Sequence, residues 1–486
     1  MNHPASTAPT LSHREQRRAE TRNVIMMSIP VVITMSARAM MDVADYIMIT
    51  WLDDPAAQAA ILPAQIIMWT YIVFGLGVAT VVSTFASQAL GRNEHRECSA
   101  YAWQVVYVSI IFGAIGLLFR PALPGLLAMF GHDPDVQIQE LAYGRIALLT
   151  VGPTIASMGL AWFFVGIHRP WITMWSAIEA NVVNVVVGAV LMFGLLGNEP
   201  LGIAGAAWGT FIAVCYRTVR LILALVMPST ARQFHSLNTW RPSWRRLWNF
   251  FRVGAPLGFQ GVCEVTVWAI FVNVLIGRRF STEDLIATNT AWQYMRVAFF
   301  PAYGVGHALA ALVGKSLGAG DPNRAIREVR AAVALTLAYM GLLSIIYWVW
   351  GEELIAVFNP DPRVVEVGRK VMLCAAVFQL FDALGITYAG ALRGAGDTFV
   401  PAAMMVASHW ILVVGAGWVV AEAWPQGGAL GPWLAASLLF ITIGFLLWWR
   451  WHCRAWMKID VFSSSKRAKR IASGQPERTV VVGGEL

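Results

Sequence analysis

Apolar residues occur along this chain in long blocks of roughly 20 to 30 positions, separated by short polar segments. A helix rises about 1.5 Å per residue, so a block of about 25 residues reaches roughly 38 Å and crosses a hydrocarbon core of about 30 Å with some tilt. The blocks therefore predict twelve transmembrane helices, numbered here in chain order: 24–51, 59–89, 98–119, 136–166, 170–195, 201–227, 247–276, 283–314, 324–349, 363–392, 398–422 and 429–452.

The composition agrees with an all-α polytopic membrane protein. Hydrophobic residues make up 57% of the 486 positions and charged residues only 13%, a balance typical of a chain surrounded by lipid. The five cysteines are far apart and form no CxxC pair, so neither a disulfide framework nor a zinc site is indicated. Residues 1–23 are polar and basic, and we expect no removable signal peptide there.

The positions of the basic residues predict the orientation of the chain. Arginines and lysines concentrate in the tail 1–23, in the connections after helices 2, 4, 6 and 8, and in the tail 453–486. The opposite connections, LDDPAAQ, GNEP, GEEL and EAWPQGG, are neutral or acidic, apart from Arg278 and Arg279. By the positive-inside rule both termini are cytoplasmic, in a bacterial inner membrane. The net charge of +8 then reflects topology and contact with anionic lipid, not nucleic-acid binding.

The two halves of the chain match each other at a nearly constant spacing. SIPVV matches GAPLG at an offset of 226, and PLGIAGAAWG matches ALGPWLAAS at an offset of 229. This spacing predicts a duplicated unit: a six-helix bundle at 24–227, a cytoplasmic linker at 228–246 and a second six-helix bundle at 247–452. An even number of spans per unit places the pseudo-two-fold axis along the membrane normal, an architecture suited to alternating access.

Two acidic residues, Glu264 and Asp382, lie deep in helices 7 and 10. A charged side chain near the bilayer centre costs roughly 2.5 to 3.5 kcal/mol, which makes each a candidate functional residue. Two acids facing one cavity predict a coupling site, where each carboxylate is neutralised by a proton or a sodium ion. The alternative is that Glu264 is a protonated structural carboxyl. Gln260, one turn before Glu264, is expected on the same face.

Helices 1 and 5 contain a second polar set. Arg38, Asp42 and Asp45 are spaced by four and three residues, which places them on one face of helix 1. Arg38 and Asp42 are predicted to pair, leaving Asp45 the freer carboxylate; the alternative is a wholly structural ladder of ion pairs. On helix 5, the amides of Asn181 and Asn184 are three residues apart and are suited to bridging helices or binding an ion.

Two further charged residues lie within predicted spans. Arg296, near the middle of helix 8, is expected to neutralise a carboxylate or to receive an anionic group of a substrate; a structural counter-ion is the alternative. Glu179 is expected on a different face of helix 5 from the asparagines, nearer the cytoplasm, and the sequence leaves its role open.

Several motifs resemble those of the multidrug and toxic compound extrusion (MATE) family, along all twelve predicted helices. The resemblance is carried by DVADYIMITWL, FGLGVATVVSTFASQALG, LGIAGAAWGT, GVGHALAALVGKSLGAGDPNRA and, most specifically, GALRGAGDTFVP after helix 10. CEVTVWA together with LFDALG is similar to the NorM-like branch. The resemblance implies two six-helix bundles in a V around a substrate cavity, with export driven by inward flow of sodium or protons.

The resemblance also implies roles for individual residues. Glu264 and Asp382 match the cation-coupling acids of the C-terminal half, and Asp45 with Asn184 matches an associated pair in the N-terminal half. A second polar residue is expected where this chain has Gly188, a departure that weakens an ion site there.

The substrate cavity is expected to involve side chains from helices 1, 7 and 8. Asn289 occupies a position where the family often has glutamine, which shortens the expected substrate contact. Arg38 lies outside the family pattern, and its charge favours a zwitterionic or partly anionic substrate over a purely cationic one. The full set of expected cavity residues is Arg38, Asp42, Gln260, Asn289 and Arg296.

The leading hypothesis is therefore a secondary active antiporter that exports amphipathic organic compounds. The alternative within transport is a flippase or exporter of a lipid-linked or polysaccharide precursor. A membrane-embedded enzyme is disfavoured, because the chain has no HExxH, GxSxG or GxxxxGK[ST] motif, and a channel would not need a two-bundle repeat. We expect a monomer in lipid, with a small organic substrate, no nucleic-acid partner and no cofactor beyond the coupling ion.

Overall fold

The computed structural model describes residues 13–52, 54–128, 132–197 and 199–462, and this part of the chain contains helices and no strand. Twelve helices in it are long and apolar enough to cross a membrane, which confirms the prediction. They are α1 His13–Thr50, α2 Pro55–Thr80 continued by Val82–Gly91, α3 His95–Leu118, α4 Pro134–Gly166, α5 Pro170–Phe193, α6 Ile203–Val226, α7 Trp244–Ile270 continued by a π-helical segment Phe271–Ile276, α8 Thr282–Gly318, α9 Pro322–Phe358, α10 Pro362–Ala395, α11 Phe399–Ser408 continued by a π-helical segment His409–Ala416 and by Gly417–Ala423, and α12 Leu430–His452.

The tails and the linker differ in part from the expected boundaries. Residues 1–12 and 463–486 lie outside the described residues, whereas α1 already begins at His13, within the expected tail 1–23. The connection between the two halves is ordered into a short helix, Pro228–Phe234, and a 3₁₀ turn, Ser236–Asn238. The Ser99 hydroxyl of α3 donates to the carbonyl of Phe234, which attaches this connection to the N-terminal half.

Local sequence explains where several helices begin. Asp54 accepts hydrogen bonds from the backbone amides of Ala56 and Ala57, at 2.9 and 3.2 Å, ahead of α2. Ser281 and Asp284 form a reciprocal capping box at the start of α8. These side chains satisfy backbone N–H groups that have no partner within the first turn of a helix.

Helix 9 was predicted to end at residue 349, with GEEL in the connection that follows. The structure has a kink at Trp350, where φ is −112° and ψ is 20°, and GEEL lies in a second helical segment that runs to Phe358 instead of in a loop. Ile355 of this segment is buried, and it lies close enough to Gly368 of α10 that a side chain there would clash. The segment after the kink therefore packs against α10.

The two halves pack in the same way. In the first half α5 contacts α1 and α6, while α4 contacts α2, α3 and α6. In the second half α11 contacts α7 and α12, while α10 contacts α8, α9 and α12. Between the halves α1 packs on α8 and α2 packs on α7, two contacts that a pseudo-two-fold rotation exchanges. This arrangement confirms the predicted pair of six-helix bundles.

Glycines allow the closest approaches between the bundles. A Cβ atom on Gly77 of α2 would lie 2.5 Å from the Cα of Gly258 of α7, which is closer than carbon atoms approach in proteins. A Cβ on Gly318 of α8 would lie 2.1 Å from the carbonyl oxygen of Gln88 of α2. Small residues at these crossings let the helix backbones touch, as is common where helices associate within lipid.

Polar contacts join the bundles at the helix ends next to the basic connections, here called the basic side. Thr84 and Gln88 of α2 donate to the carbonyls of Arg393 and Gly394 at the end of α10, at 2.8 and 3.0 Å. Ion pairs cross between the two halves on the same side: Glu20–Arg327, Arg92–Asp460 and Glu97–Arg246. The two bundles are therefore closed against each other on the basic side.

The interiors of the two bundles differ. In the C-terminal bundle, the rings of Trp268 and Trp292 lie 4.7 Å apart, within an aromatic cluster that also contains Phe271, Phe378, Trp433 and Phe440. The N-terminal bundle instead encloses a small polar cavity between α1, α4, α5 and α6.

Candidate functional site

Glu264 of α7 and Asp382 of α10 lie together in the C-terminal bundle. Both side chains are partly buried, and the charge of Glu264 acts directly on Asp382. Among the described residues neither carboxylate forms an ion pair with a basic side chain. Gln260, one turn earlier on α7, donates to the sulfur of Met405 on α11 at 3.2 Å. The structure thus brings the two predicted acids together.

Tyr303, His307 and Arg393 form a cluster between this acid pair and the interface of the two bundles. The charges of Glu264 and Arg393 both act on Tyr303 of α8. The guanidinium of Arg393 lies 3.2 Å from Nε2 of His307, one turn after Tyr303. The ring of His307 stacks on Trp162 of α4, with the centroids 3.9 Å apart. Because Trp162 belongs to the N-terminal bundle, this cluster connects the acid pair to the opposite bundle.

The N-terminal bundle contains a second carboxylate site. Thr210 of α6 donates to the carboxylate of Asp45 on α1 at 3.0 Å and accepts from the side-chain amide of Asn184 on α5 at 3.1 Å. Asp45 is 5% exposed and Asn184 is fully buried, and the amide oxygen of Asn184 has no hydrogen-bond partner. The sequence associated Asp45 with Asn184; the structure shows that Thr210 joins them.

Close helix packing beside the Asp45 site requires a glycine on α6. A Cβ on Gly209 of α6 would lie 2.7 Å from the Cα of Gly188 of α5, so the two helix backbones touch there. A Cβ on Gly188 would make only an ordinary contact with the methyl group of Met48, at 3.4 Å. Gly188 itself supplies no side-chain oxygen, so the described side-chain oxygens next to Asp45 are those of Asn184 and Thr210.

The remaining polar residues of helices 1 and 5 separate into different environments. Arg38 lines the small cavity of the N-terminal bundle and lies over the ring of Trp69, 5.6 Å from its centroid. The predicted partner of Arg38, Asp42, has a side chain outside the described part of the structure. Asn181 donates to the carbonyl of Ala37 at 2.7 Å and so bridges α5 to α1.

Glu179 faces α6, away from that cavity. Its carboxylate lies 3.2 Å from Arg220 and accepts from the hydroxyl of Tyr216 at 3.1 Å. The side chains of Glu179 and Arg220 are about one third exposed. The role that the sequence left open is thus an ion pair between neighbouring helices.

Asn289 and Arg296 of α8 are both exposed. They are seven residues apart, and Tyr303 follows Arg296 at the same spacing, so helical periodicity places the three on one stripe of α8. His307, one turn after Tyr303, touches Trp162 across the interface. Toward the first turns of α8 this stripe therefore carries an exposed amide and an exposed guanidinium.

Some site residues were missed by the reading of the sequence. Arg217 lies within α6, and Arg393 lies within the last turn of α10. Glu264 was identified because it is a charged residue inside a predicted span, and Arg217 meets the same criterion. His307 is a polar residue in an apolar stretch, GVGHALAAL, which was a second available signal. Thr210 had no such signal, because threonine is common in membrane helices and hydrogen-bonds its own backbone.

His168, in the turn between α4 and α5, belongs to the contact between the bundles. Its ring lies beside the backbone of Ala311 on α8. Burial, together with the positive charge of Lys315, lowers the pKa of His168 to about 3. The ring is therefore neutral at physiological pH, as its position beside a lysine requires.

The described residues contain no group of three or more His, Cys, Asp or Glu side chains that could hold a metal ion.

Comparison with known proteins identifies close similarity over most of the chain. The family model described as MatE matches residues 30–190 and 256–419. The two matched segments begin 226 and end 229 positions apart, the spacing of the internal repeat.

Similar proteins include two bacterial relatives. The probable multidrug resistance protein NorM of Brucella suis biovar 1 (strain 1330) is 26% identical over 458 residues, which cover 91% of this chain and 96% of that protein. The probable multidrug resistance protein NorM of Chromobacterium violaceum is 26% identical over 438 residues, covering 88% and 93%.

Solved structures of the same fold support this similarity. A MATE in complex with MaD3S has a TM-score of 0.82 at 17% identity and covers 93% of this chain and all of the other. An outward-facing multidrug resistance MATE family transporter of the MOP superfamily has a TM-score of 0.80 at 16% identity, with the same coverage.

Proposed function

Because this chain belongs to the MatE family of multidrug efflux transporters, we propose that it exports amphipathic organic compounds by antiport with sodium ions or protons. The coupling ion binds at the carboxylates inside the bundles, and the substrate binds between the bundles. The two bundles then rock about their contact, which exposes the substrate first to one side of the membrane and then to the other.

The observation that carries this proposal is the acid pair Glu264 and Asp382. Two carboxylates interact inside the membrane without a basic partner among the described residues. Each would cost about 2.5 to 3.5 kcal/mol if charged and alone in lipid, and mutual repulsion adds to that cost. A proton or a sodium ion removes the cost, so the affinity of the pair for a cation depends strongly on access to water.

The cluster of Tyr303, Arg393 and His307 supports a connection between ion binding and bundle movement. The charge of Glu264 acts on Tyr303, and His307 stacks on Trp162 of the opposite bundle. Neutralising Glu264 changes the field at Tyr303 and Arg393. Cation binding is thereby linked to a contact that must break when the bundles rock.

Asp45, Thr210 and Asn184 form the second proposed cation site. A carboxylate, a hydroxyl and a buried amide oxygen without a partner supply three oxygen ligands. This site lies in the N-terminal bundle, so each bundle contains one proposed cation-binding site.

We assign the basic side to the cytoplasm by the positive-inside rule. In this proposal both termini are inside a bacterial inner membrane, and this conformation is closed toward the cytoplasm. The exposed side chains of Asn289 and Arg296, on one stripe of α8, are the proposed substrate contacts. A guanidinium at this position favours substrates that carry a carboxylate or are zwitterionic.

The test uses purified protein in vesicles with an imposed sodium gradient at clamped pH, or an imposed proton gradient without sodium. We expect accumulation of an amphipathic fluorescent compound under one of these gradients. Glu264→Gln should abolish gradient-driven accumulation, because the neutral amide neither binds a proton nor attracts sodium.

The matched control is Glu422→Gln, which removes an exposed carboxylate at the tip of α11 that pairs with Arg279. It should transport like the unaltered protein. Normal coupled transport by a well-folded Glu264→Gln variant would exclude the acid pair as the coupling site.

A further inference from the structure

The N-terminal bundle encloses a small cavity that none of the proposed cation ligands lines. Its polar lining consists of Arg38, Thr154, Ser157, Asn181 and Arg217. At about 1.5 Å per residue, Ser157 and Arg217 lie roughly 14 Å from the basic ends of α4 and α6, and Thr154 roughly 18 Å. The cavity is therefore near the middle of a hydrocarbon core about 30 Å thick.

Arg217 is a buried cation without an anion. The residue is 7% exposed, and its Nε and Nη2 atoms are buried without a hydrogen-bond partner. The remaining terminal nitrogen, Nη1, contacts only the sulfur of Met158, a weak acceptor, at 3.4 Å. The positive charge of Arg38, which also lines the cavity, acts on Arg217. A buried guanidinium without an anion is unfavourable in a region of low dielectric, so Arg217 favours the binding of negative charge beside it.

No described carboxylate lines this cavity. Asp45 is seven residues from Arg38 on α1, about 10.5 Å along the helix axis, and bonds to Thr210. Glu179 pairs with Arg220 at the outer surface of α5 and α6. The side chain of Asp42 lies outside the described part of the structure.

We propose that the cavity binds one small inorganic anion of the halide class between Arg217 and Arg38. The cavity has a volume of about 20 Å³, which is enough for about one water molecule. That volume admits a monatomic anion and excludes an organic substrate. The wall beside the arginines is formed by the hydroxyl-bearing Thr154 and the amide of Asn181, which suit a small hydrated ion better than an apolar guest.

An anion at this position has a direct structural effect. It compensates the charge of Arg217 and stabilises the packing of α1, α4, α5 and α6 around the cavity. The site does not depend on the proposed transport cycle, since it is a property of the folded N-terminal bundle. Chloride is a suitable probe of this site, because it is monatomic and can be exchanged for gluconate at constant sodium concentration and ionic strength.

The experiment measures the melting temperature of the purified full-length protein in nanodiscs as sodium gluconate is replaced by sodium chloride. We expect a saturable rise in the melting temperature. Arg217→Met keeps the length of the side chain and removes its charge, and it should weaken the apparent chloride affinity about tenfold or more, because hydrogen bonds to charged groups are the strong ones. Arg145→Met, at an exposed position of α4 in the same bundle, is the matched control and should leave the chloride response intact.

A second measurement keeps the proposal testable if Arg217→Met fails to fold. Crystals of the unaltered protein grown in bromide should show an anomalous peak between Arg217 and Arg38. No halide response, a response that Arg217→Met does not change, or bromide located elsewhere would overturn the proposal. The first of these results would mean that water or the carboxylate of Asp42 compensates Arg217 instead.

Discussion

At the scale of single residues, the electrostatics of buried polar groups determine which side chains matter. Inside lipid, a carboxylate without a partner and a guanidinium without an anion are both costly. The C-terminal bundle contains such carboxylates, Glu264 and Asp382, and the N-terminal bundle contains such a guanidinium, Arg217. The two bundles share a fold and differ in internal charge, so we expect them to contribute differently to transport.

Thr210 tests the cation site of the N-terminal bundle at this scale. Thr210→Val preserves the shape of the side chain and removes the hydroxyl that donates to Asp45 and accepts from Asn184. A hydrogen bond to a charged group is worth about 1.5 to 3 kcal/mol, so we expect the half-saturating concentration of the coupling ion in the vesicle assay to rise about tenfold or more.

The control for this variant is Thr218→Val, two turns later on the same helix. The Thr218 hydroxyl donates only to backbone carbonyls of Pro153 and Val214, so its removal should leave the ion dependence unchanged. An unaltered ion dependence in Thr210→Val would show that Asp45 does not bind the coupling ion through this network.

At the scale of elements, the contact between α2 and α8 depends on glycine. These two helices are equivalent under the pseudo-two-fold rotation, and their basic ends touch through backbone atoms with no side chain between them. Such a contact has little tolerance for added volume, because overpacking forces the backbones apart. The glycines are therefore expected to set how tightly the basic side closes.

Gly318→Ala tests this contact. Its Cβ would lie 2.1 Å from the carbonyl oxygen of Gln88, and relieving such overlap costs about 1 to 3 kcal/mol. We expect the population to shift about fivefold or more toward a conformation open on the basic side, measured as a longer distance between spin labels on the basic ends of α3 and α9.

Gly125→Ala is the control, since no atom lies within 4 Å of the added Cβ at that position. It should leave the label distances unchanged. If Gly318→Ala also leaves them unchanged, the contact between α2 and α8 does not limit closure.

At the scale of the whole molecule, ion pairs and backbone contacts on the basic side hold the two bundles together. Alternating access requires that these contacts break in every cycle. The ion pair between Glu20 of α1 and Arg327 of α9 is one of them, and it joins the two bundles through peripheral residues far from the carboxylate sites.

A reversible thiosulfonate crosslink between Glu20→Cys and Arg327→Cys, in a Cys453→Ser background that removes an exposed thiol, should arrest transport. Reductant should restore it. The matched control is a crosslink between Glu179→Cys and Arg220→Cys, a pair within the N-terminal bundle, which should leave transport unaffected. Full transport by the Glu20–Arg327 crosslinked protein would be incompatible with rocking of the bundles.

The sequence by itself determined the number of helices, their approximate limits, the two-bundle repeat and the intramembrane acids. These features depend on local or one-dimensional properties: the length of an apolar block against the thickness of a bilayer, the spacing of similar segments, and the cost of a charge in lipid. For this reason Glu264, Asp382, Asp45 and Asn184 could be named as candidates without coordinates, and their roles stay predictions. The helical segment after the kink at Trp350, which includes GEEL, was not predicted, because hydropathy identifies membrane spans and not the short helices that connect them.

Only the tertiary structure decided which polar groups meet. Thr210 reaches Asp45 across 165 positions of sequence, His307 stacks on Trp162 of the other bundle, and Arg217 faces the cavity lined by Arg38. Hydropathy places a residue at a depth in the membrane, but the rotation of each helix about its axis is set by the packing of all its neighbours. The partners of each charge, and with them the chemistry of the two bundles, follow from that packing.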